Sequence, residues 1–421
     1  MSPLRLAAIT LLAASSLTVM SGATIAPALP AIRDAYADGW QADLLSKLVL
    51  TLPALLIALI APIGGRLLNR LGRRRTLFAG LVFYAVAGSS GLWVPESWTL
   101  LGLLGGRAAL GAAVAMVMVS ATTLIGDYFS GEQRRGLLGV QSACMAGGGV
   151  AFLLLGGVLA DVDWRLPFAV YLLSLLLVPM ALMLPEPDRS DDRQERTEGS
   201  VLAVLPVYLI AFGFMVAFYL APTQLPFLVE AILAHGPEAG GLLSGSAIAA
   251  STATGVVTGL AYGKLRPRLG LHGVNASASG LMAIGFAMVW CSSFLGHGWL
   301  PAYAMVLGGM GVFGLGSGAF MPNLNNWLLD VVPESSRGRA VGILTASFFL
   351  GQFLSPAVME PVVGATSIPA AFGIAGAILG VGAVLVVIIT PSLRRRLGGH
   401  RGGTRCGYQD PLGPCPRIDD R

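Results

Sequence analysis

The chain is a succession of long apolar runs separated by short polar stretches. A helix that crosses a bilayer needs roughly 20 consecutive apolar residues. By that measure the first half holds six, at about Leu6 to Ile25, Leu44 to Leu68, Thr76 to Val94, Leu100 to Ile125, Gly136 to Ala160 and Pro167 to Leu184. Six more follow, at about Val201 to Leu220, Leu242 to Tyr262, Leu271 to Phe294, Leu300 to Trp327, Ala340 to Val363 and Pro369 to Thr390. Between the two sets, residues 185–200 read PEPDRSDDRQERTEGS, which is charged with both signs and has the composition of a linker. The pattern predicts an all-α integral membrane protein of twelve spans: a bundle over 1–184, a cytoplasmic linker over 185–200, a second bundle over 201–392 and a disordered cytoplasmic tail over 393–421.

The first run has an alternative reading as a cleaved secretory signal, since it follows a single early arginine and ends near Ser21-Gly22-Ala23. Repetition argues for a retained helix. Ala26-Pro27-Ala28-Leu29-Pro30 closes this run as Ala221-Pro222-Thr223-Gln224-Leu225-Pro226 closes the first run after the linker. Arg33, Asp34 and Asp38 are then expected in the following outer loop.

Charge supports the same count. Hydrophobic residues make up 55% of the 421 and charged residues 12%, about half the share of a soluble domain, and mean hydropathy is +0.74. Arg70, Arg73 to Arg75, Arg134, Arg135, Lys264, Arg266, Arg268, Arg337 and Arg339 fall in alternate loops, and Arg33 and Arg165 in the others. The positive-inside rule places the arginine-rich loops and both termini in the cytoplasm. A multi-pass protein of the cytoplasmic (inner) membrane follows. The net charge of +5 is accounted for by these loops and calls for no nucleic acid. Cys144, Cys291, Cys406 and Cys415 form no metal-ligand spacing, and neither a phosphate-binding glycine loop nor a catalytic triad appears. The chain is therefore expected to be no enzyme, to carry no cofactor or metal, and to act as a monomer.

The halves repeat in sequence. Gly65 recurs as Gly263 and Gly72 as Gly270, each 198 residues on, and Asp127 with Arg135-Gly136 recurs as Asp330 with Arg337-Gly338. Parallel six-plus-six repeats place a solute site between the halves near the midplane.

The hairpin Gly65-Arg66-Leu67-Leu68-Asn69-Arg70-Leu71-Gly72-Arg73-Arg74-Arg75-Thr76-Leu77 resembles the loop between helices 2 and 3 of the major facilitator superfamily, G-x-L-x-D-R-x-G-R-R/K-x-x-L. Asn69 stands where that family has Asp. The resemblance implies the major facilitator fold and an inner gate loop of Gly65, Asn69, Arg70, Gly72, Arg73 and Arg74, with Asp127 and Arg135 beside it. It is closest to the drug/proton antiporter branch of twelve helices. Arg107-Ala108-Ala109-Leu110-Gly111 is similar to that branch's helix 4 motif R-x-x-x-G, which implies a cavity-facing arginine in proton coupling or anion binding. A structural arginine bonded to carbonyls is the competing reading. On helix 5, Gly147 to Gly149, Gly156 and Gly157 match the antiporter motif, while Phe152-Leu153 replace its Gly-Pro.

Ionisable groups inside apolar runs are the default functional candidates in a membrane. Besides Arg107 they are Lys47, expected to pair with Asp43 four residues earlier or to snorkel to the interface, and Glu360, a carrier of the coupling proton or one member of an outer salt bridge. By resemblance, helices 1, 4, 7 and 10 line the cavity. Tyr208, Phe212, Tyr219, Gln224, Asn323 and Asn326 are its candidate lining, and packing is the simpler account of the aromatic ones. Such a cavity suits a small, mostly apolar or amphipathic solute.

The expected activity is export of that solute by proton antiport with alternating access. Its partners would be the solute, the proton and the lipid bilayer. Proton-coupled uptake of an organic anion or nutrient is the second reading, and a non-transporting sensor or lipid-handling protein the third.

Overall fold

The computed structural model describes residues 3–36, 42–95, 100–185, 204–235, 237, 240–296, 298–333 and 336–398, with the side chains of 61–71, Arg135, His235 and 389–398 outside that description. The described elements are helical. They are α1 (Leu4–Ala35), α2 (Ala42–Leu71), α3 (Arg73–Trp93), α4 (Leu100–Tyr128), α5 (Gly131–Val162), α6 (Leu166–Leu182) and α7 (Leu205–Ile232). A continuous run, Gly240–Cys291, then carries two helices, α8 over 240–269 and α9 over 271–291. It is followed by α10 (Trp299–Val331), α11 (Arg337–Ala365) and α12 (Ile368–Gly398).

The run from Gly240 is far too long for one crossing, because a bilayer core is about 30 Å thick and a helix rises 1.5 Å per residue. It turns at Gly270, whose φ of 70° is a left-handed value that glycine adopts without a Cβ penalty. Its two arms lie side by side against α10. Along α10, Gly309 meets Gly285 and Gly316 meets Ala278 and Met282, whereas Gly314 meets Ser251 and Gly318 meets Gly255. Partner numbers fall along one arm and rise along the other, so α9 runs antiparallel to α10 and α8 parallel to it. With this reversal, and with α6 as a shorter apolar helix, the ten long apolar helices become the twelve expected.

Proline explains the irregular spans. Pro27 and Pro30 sit at first-turn positions, where a missing N–H costs nothing. α1 therefore tightens into a 3-10 turn at Ala26–Ala28 and resumes as a helix over Leu29–Ala35. This corrects the expected end at Ile25: Arg33 and Asp34 ride on the helix, while Asp38 lies outside the described residues. Likewise α7 continues through Pro222 and Pro226 to Ile232 instead of closing at Leu220. In α6, an eight-residue 3-10 stretch, Val170–Leu177, precedes Pro179. The last helix runs on to Gly398, past the expected boundary at 392. The expected linker, apart from Pro185, and the tail beyond 398 lie outside the described residues.

Among the described residues the halves meet where α2 packs on α11, α5 on α8, and α1 on both α7 and α8. Glycines bring the backbones together. A Cβ on Gly157 would stand inside van der Waals contact of Gly241, and one on Gly245 would do the same to the Leu153 carbonyl. Gly156, against the Thr24 carbonyl, and Gly157 on α5 thus serve close packing, as small residues do between membrane helices.

Candidate functional site

Arg107 is the largest wholly buried side chain, with 0% exposure, and each of its nitrogens donates a hydrogen bond. Nε donates to the Val49 carbonyl at 2.7 Å, Nη1 to Tyr171 Oη at 2.8 Å and Nη2 to the Ser21 carbonyl at 2.5 Å. Tyr171 Oη in turn donates to Ser21 at 2.8 Å, closing a triangle. The local sequence says why these carbonyls are available. Pro53, four residues after Val49, has no N–H to give it. At Ser21 the N–H of Ile25 turns instead to Gly22, at 3.1 Å, as α1 tightens. Gly111 lets α4 lie against the Pro53 backbone one turn from the guanidinium, since a Cβ there would collide with Pro53. Arg107 to Gly111 therefore reads as a packing device in which the glycine admits α2 and the arginine satisfies the carbonyls that bending exposes. Tyr84, with Oη 2.6 Å from the Leu17 carbonyl, extends the node.

A second cluster joins the halves at the arginine-poor end. Lys47, 3% exposed, places Nζ 2.6 Å from Glu360 Oε2. Gln224 Nε2 donates to the same oxygen at 3.1 Å. Lys47 thus pairs with α11 of the other half, not with Asp43, which is exposed at the start of α2. The Phe227 ring takes the Lys47 ammonium at 4.9 Å and the Arg33 guanidinium at 5.1 Å, a favourable arrangement for cations on an aromatic face. Arg33 also meets Glu230 at 3.3 Å and Asp34 at 2.7 Å. Gln224, Phe227 and Glu230 follow at intervals of three on α7, so one helix face grips two cations of the first half. Phe227, Glu230 and Tyr171 were missed in the sequence, although the three-residue spacing after Pro222 was there to be read.

At the arginine-rich end two ion pairs among the described residues, Arg73 with Asp127 and Arg266 with Asp330, each lie within one half. Arg74 donates to the Leu184 carbonyl at 3.0 Å. Gly72, with φ 88°, makes the turn into α3. The side chains of Asn69, Arg70 and Arg135, and the surroundings of Gly65, lie outside the described residues. In the second half Arg266 meets Asp330 at 2.9 Å and donates to Tyr262 and Asn323, both at 3.0 Å. Asn323 donates to Asn275 at 2.7 Å and Asn326 to Tyr262 at 3.1 Å. Both asparagines therefore take part in this network of the second half.

Of the remaining candidates, Tyr208 is buried with a hydroxyl that has no partner among the described residues. The backbone of Phe212 abuts Gly351, and Tyr219 Oη would lie 4.0 Å from a Cβ on Gly22. Tyr219 thus approaches the bend of α1 from the opposite half, one turn below Gln224. Phe218, its neighbour, joins a chain of rings through Phe313, Phe286 and Phe372.

The sequence model described as Major Facilitator Superfamily matches residues 11–315 and 305–405. The chain belongs to that superfamily. Among curated relatives, the puromycin resistance protein pur8 of Streptomyces alboniger is 31% identical over 50% of this chain and 40% of its own length. The chain thus spans about two fifths of that relative. The class G tetracycline resistance protein of Vibrio anguillarum is 28% identical, covering 93% of this chain and 98% of the relative. Among solved structures, a D-xylose-proton symporter aligns with a TM-score of 0.69 at 16% identity, over 90% of this chain and 96% of that one. That likeness shows the major facilitator fold. The chain is a multi-pass membrane protein of a transporter family whose relatives include drug efflux proteins.

Proposed function

We propose that this superfamily member exports a small, mostly apolar or amphipathic organic solute in exchange for protons, by rocking the halves 1–184 and 201–392 about a midplane site. It would act as a monomer in the cytoplasmic membrane, its arginine-rich end and both termini in the cytoplasm. The observation that carries the reading is the Lys47–Glu360 pair. An ion pair taken out of water is held only while its partners meet, and these partners sit on different halves. Protonating Glu360 removes the charge that holds Lys47, so proton uptake from the arginine-poor side would release that end. Gln224 lies beside this pair and Tyr219 near the bend of α1, where an uncharged polar group on a solute would meet them. The resistance and efflux proteins among the relatives support the outward direction and the solute class.

Inside-out vesicles with an acid interior test the proposal. Fluorescence would report collapse of the pH gradient as lipophilic cations, siderophores and organic acids are added in turn. Collapse by one compound, lost in Glu360→Gln, is expected. Undiminished collapse in that variant would remove Glu360 from the coupling, and binding without flux in liposomes of purified protein would overturn transport itself.

A further inference from the structure

The end of α5 carries a carboxylate, Asp161, that reaches into the other half. Asp161 Oδ1 accepts from the Gly241 N–H at 2.7 Å and Oδ2 from the Leu242 N–H at 2.9 Å. These are first-turn groups of α8, which begins at Gly240. A helix leaves its first four N–H groups without internal partners, and the partial positive charge there favours an anion. Capping groups ordinarily come from the residue just before the helix. Here the cap comes from a residue about 80 positions away, on the opposite half.

The packing below makes the reach possible. Leu153, Gly157 and Asp161 follow at intervals of four on α5 and face Gly245 and Gly241 on α8. A Cβ on Gly241 would stand 2.9 Å from Asp161 Oδ1, so the absence of a side chain there admits the carboxylate.

We infer that Asp161 is a latch between the halves, a gate-positioning residue distinct from the Lys47–Glu360 pair and read by backbone donors. Its two bonds exist only while the arginine-poor end is closed. When the halves part, α8 loses its cap and Asp161 returns to water, so the latch biases the protein toward the state open at the arginine-rich end. This inference rests on the alternating-access reading above.

Paired spin labels on the full chain test it, with Leu101→Cys and Leu300→Cys reporting separation at the arginine-poor end and Leu182→Cys and Val331→Cys at the other. A charge-assisted hydrogen bond contributes enough to move a two-state ratio by about tenfold. Asp161→Ala is expected to raise the open-to-closed ratio at the arginine-poor end by that order and to narrow the distances at the other end. Asp161→Asn, which keeps the shape and one acceptor, should fall between Ala and the native chain. An unchanged distance between labels at Trp93→Cys and Leu182→Cys, both in the first half, shows that the variants are folded. If both Asp161 variants leave the distances unmoved while Lys47→Ala shifts them, the latch is refuted and alternating access stands. If neither those variants nor Lys47→Ala nor any solute moves the distances, the alternating-access reading falls and this inference falls with it.

Discussion

At the arginine-poor end charged groups reach from one half to the other, Arg33 to Glu230, Lys47 to Glu360 and Asp161 to the start of α8. At the arginine-rich end Arg73 and Arg266 pair inside their own halves. Bonds within a half survive any rigid rotation of one half against the other, whereas bonds between halves must break. The molecule thus separates interactions that build each half from interactions that hold the two halves in the arrangement seen here. The loop copies show the same logic by different means. In the first half the pairing arginine, Arg73, follows the hairpin glycine, and in the second Arg266 precedes Gly270 by about one helical turn, yet each finds the aspartate that ends the fourth helix of its half.

The largest effect is expected at the node that builds the first half. Arg107→Ala leaves the Val49 carbonyl without a buried donor and takes one donor each from the Ser21 carbonyl, which keeps Tyr171, and from the Tyr171 hydroxyl, at about 1–3 kcal/mol for a group left unsatisfied. Loss of folded protein in thermal unfolding in detergent is the expected outcome. A variant that melts like the native chain but no longer couples would restore the cavity-facing role implied by the family motif.

Next comes the pair between halves. Glu360→Gln removes a charge but not the shape, leaving buried Lys47 without a counter-charge, which costs up to about 3 kcal/mol in the closed arrangement because Glu360 is partly solvated and the amide oxygen still accepts. Label distances at the arginine-poor end should lengthen, with melting temperature reduced less than in Arg107→Ala. Asp330→Asn should behave in the opposite sense, lowering stability by about 1 kcal/mol or less because the pair is partly solvated, with no change in separation of the halves. The smallest effect belongs to Arg33→Ala. That pair lies at the exposed rim, and its contribution should fade as salt is raised.

Much of this architecture was legible in the chain. Twelve apolar runs, alternating arginines and a repeat offset of 198 residues lead to two six-helix halves, because hydrophobic length and loop charge are set by the bilayer and not by tertiary detail. The helix ends were less legible. Pro27, Pro30, Pro222 and Pro226 look like terminators, but the spans continue through them, α1 by tightening into a 3-10 turn. Lys47 shows a second limit. Its nearest carboxylate in sequence is Asp43, while its partner, Glu360, lies more than 300 residues away, and no local spacing reports a contact between halves. Asn323 shows a third, since a polar residue inside an apolar run serves equally as a solute contact or, as here, as the centre of a network that ties three helices.

The bond from Arg107 to Val49 links the histories of two positions. The carbonyl it satisfies is open because residue 53 is proline, so each residue is tolerable largely because of the other. An ancestor that acquired Pro53 first would have carried an unsatisfied carbonyl, and one that lost Arg107 first would have exposed the same defect. Pro53→Ala should therefore soften the damage of Arg107→Ala, and the two substitutions together should be less harmful than their separate effects imply.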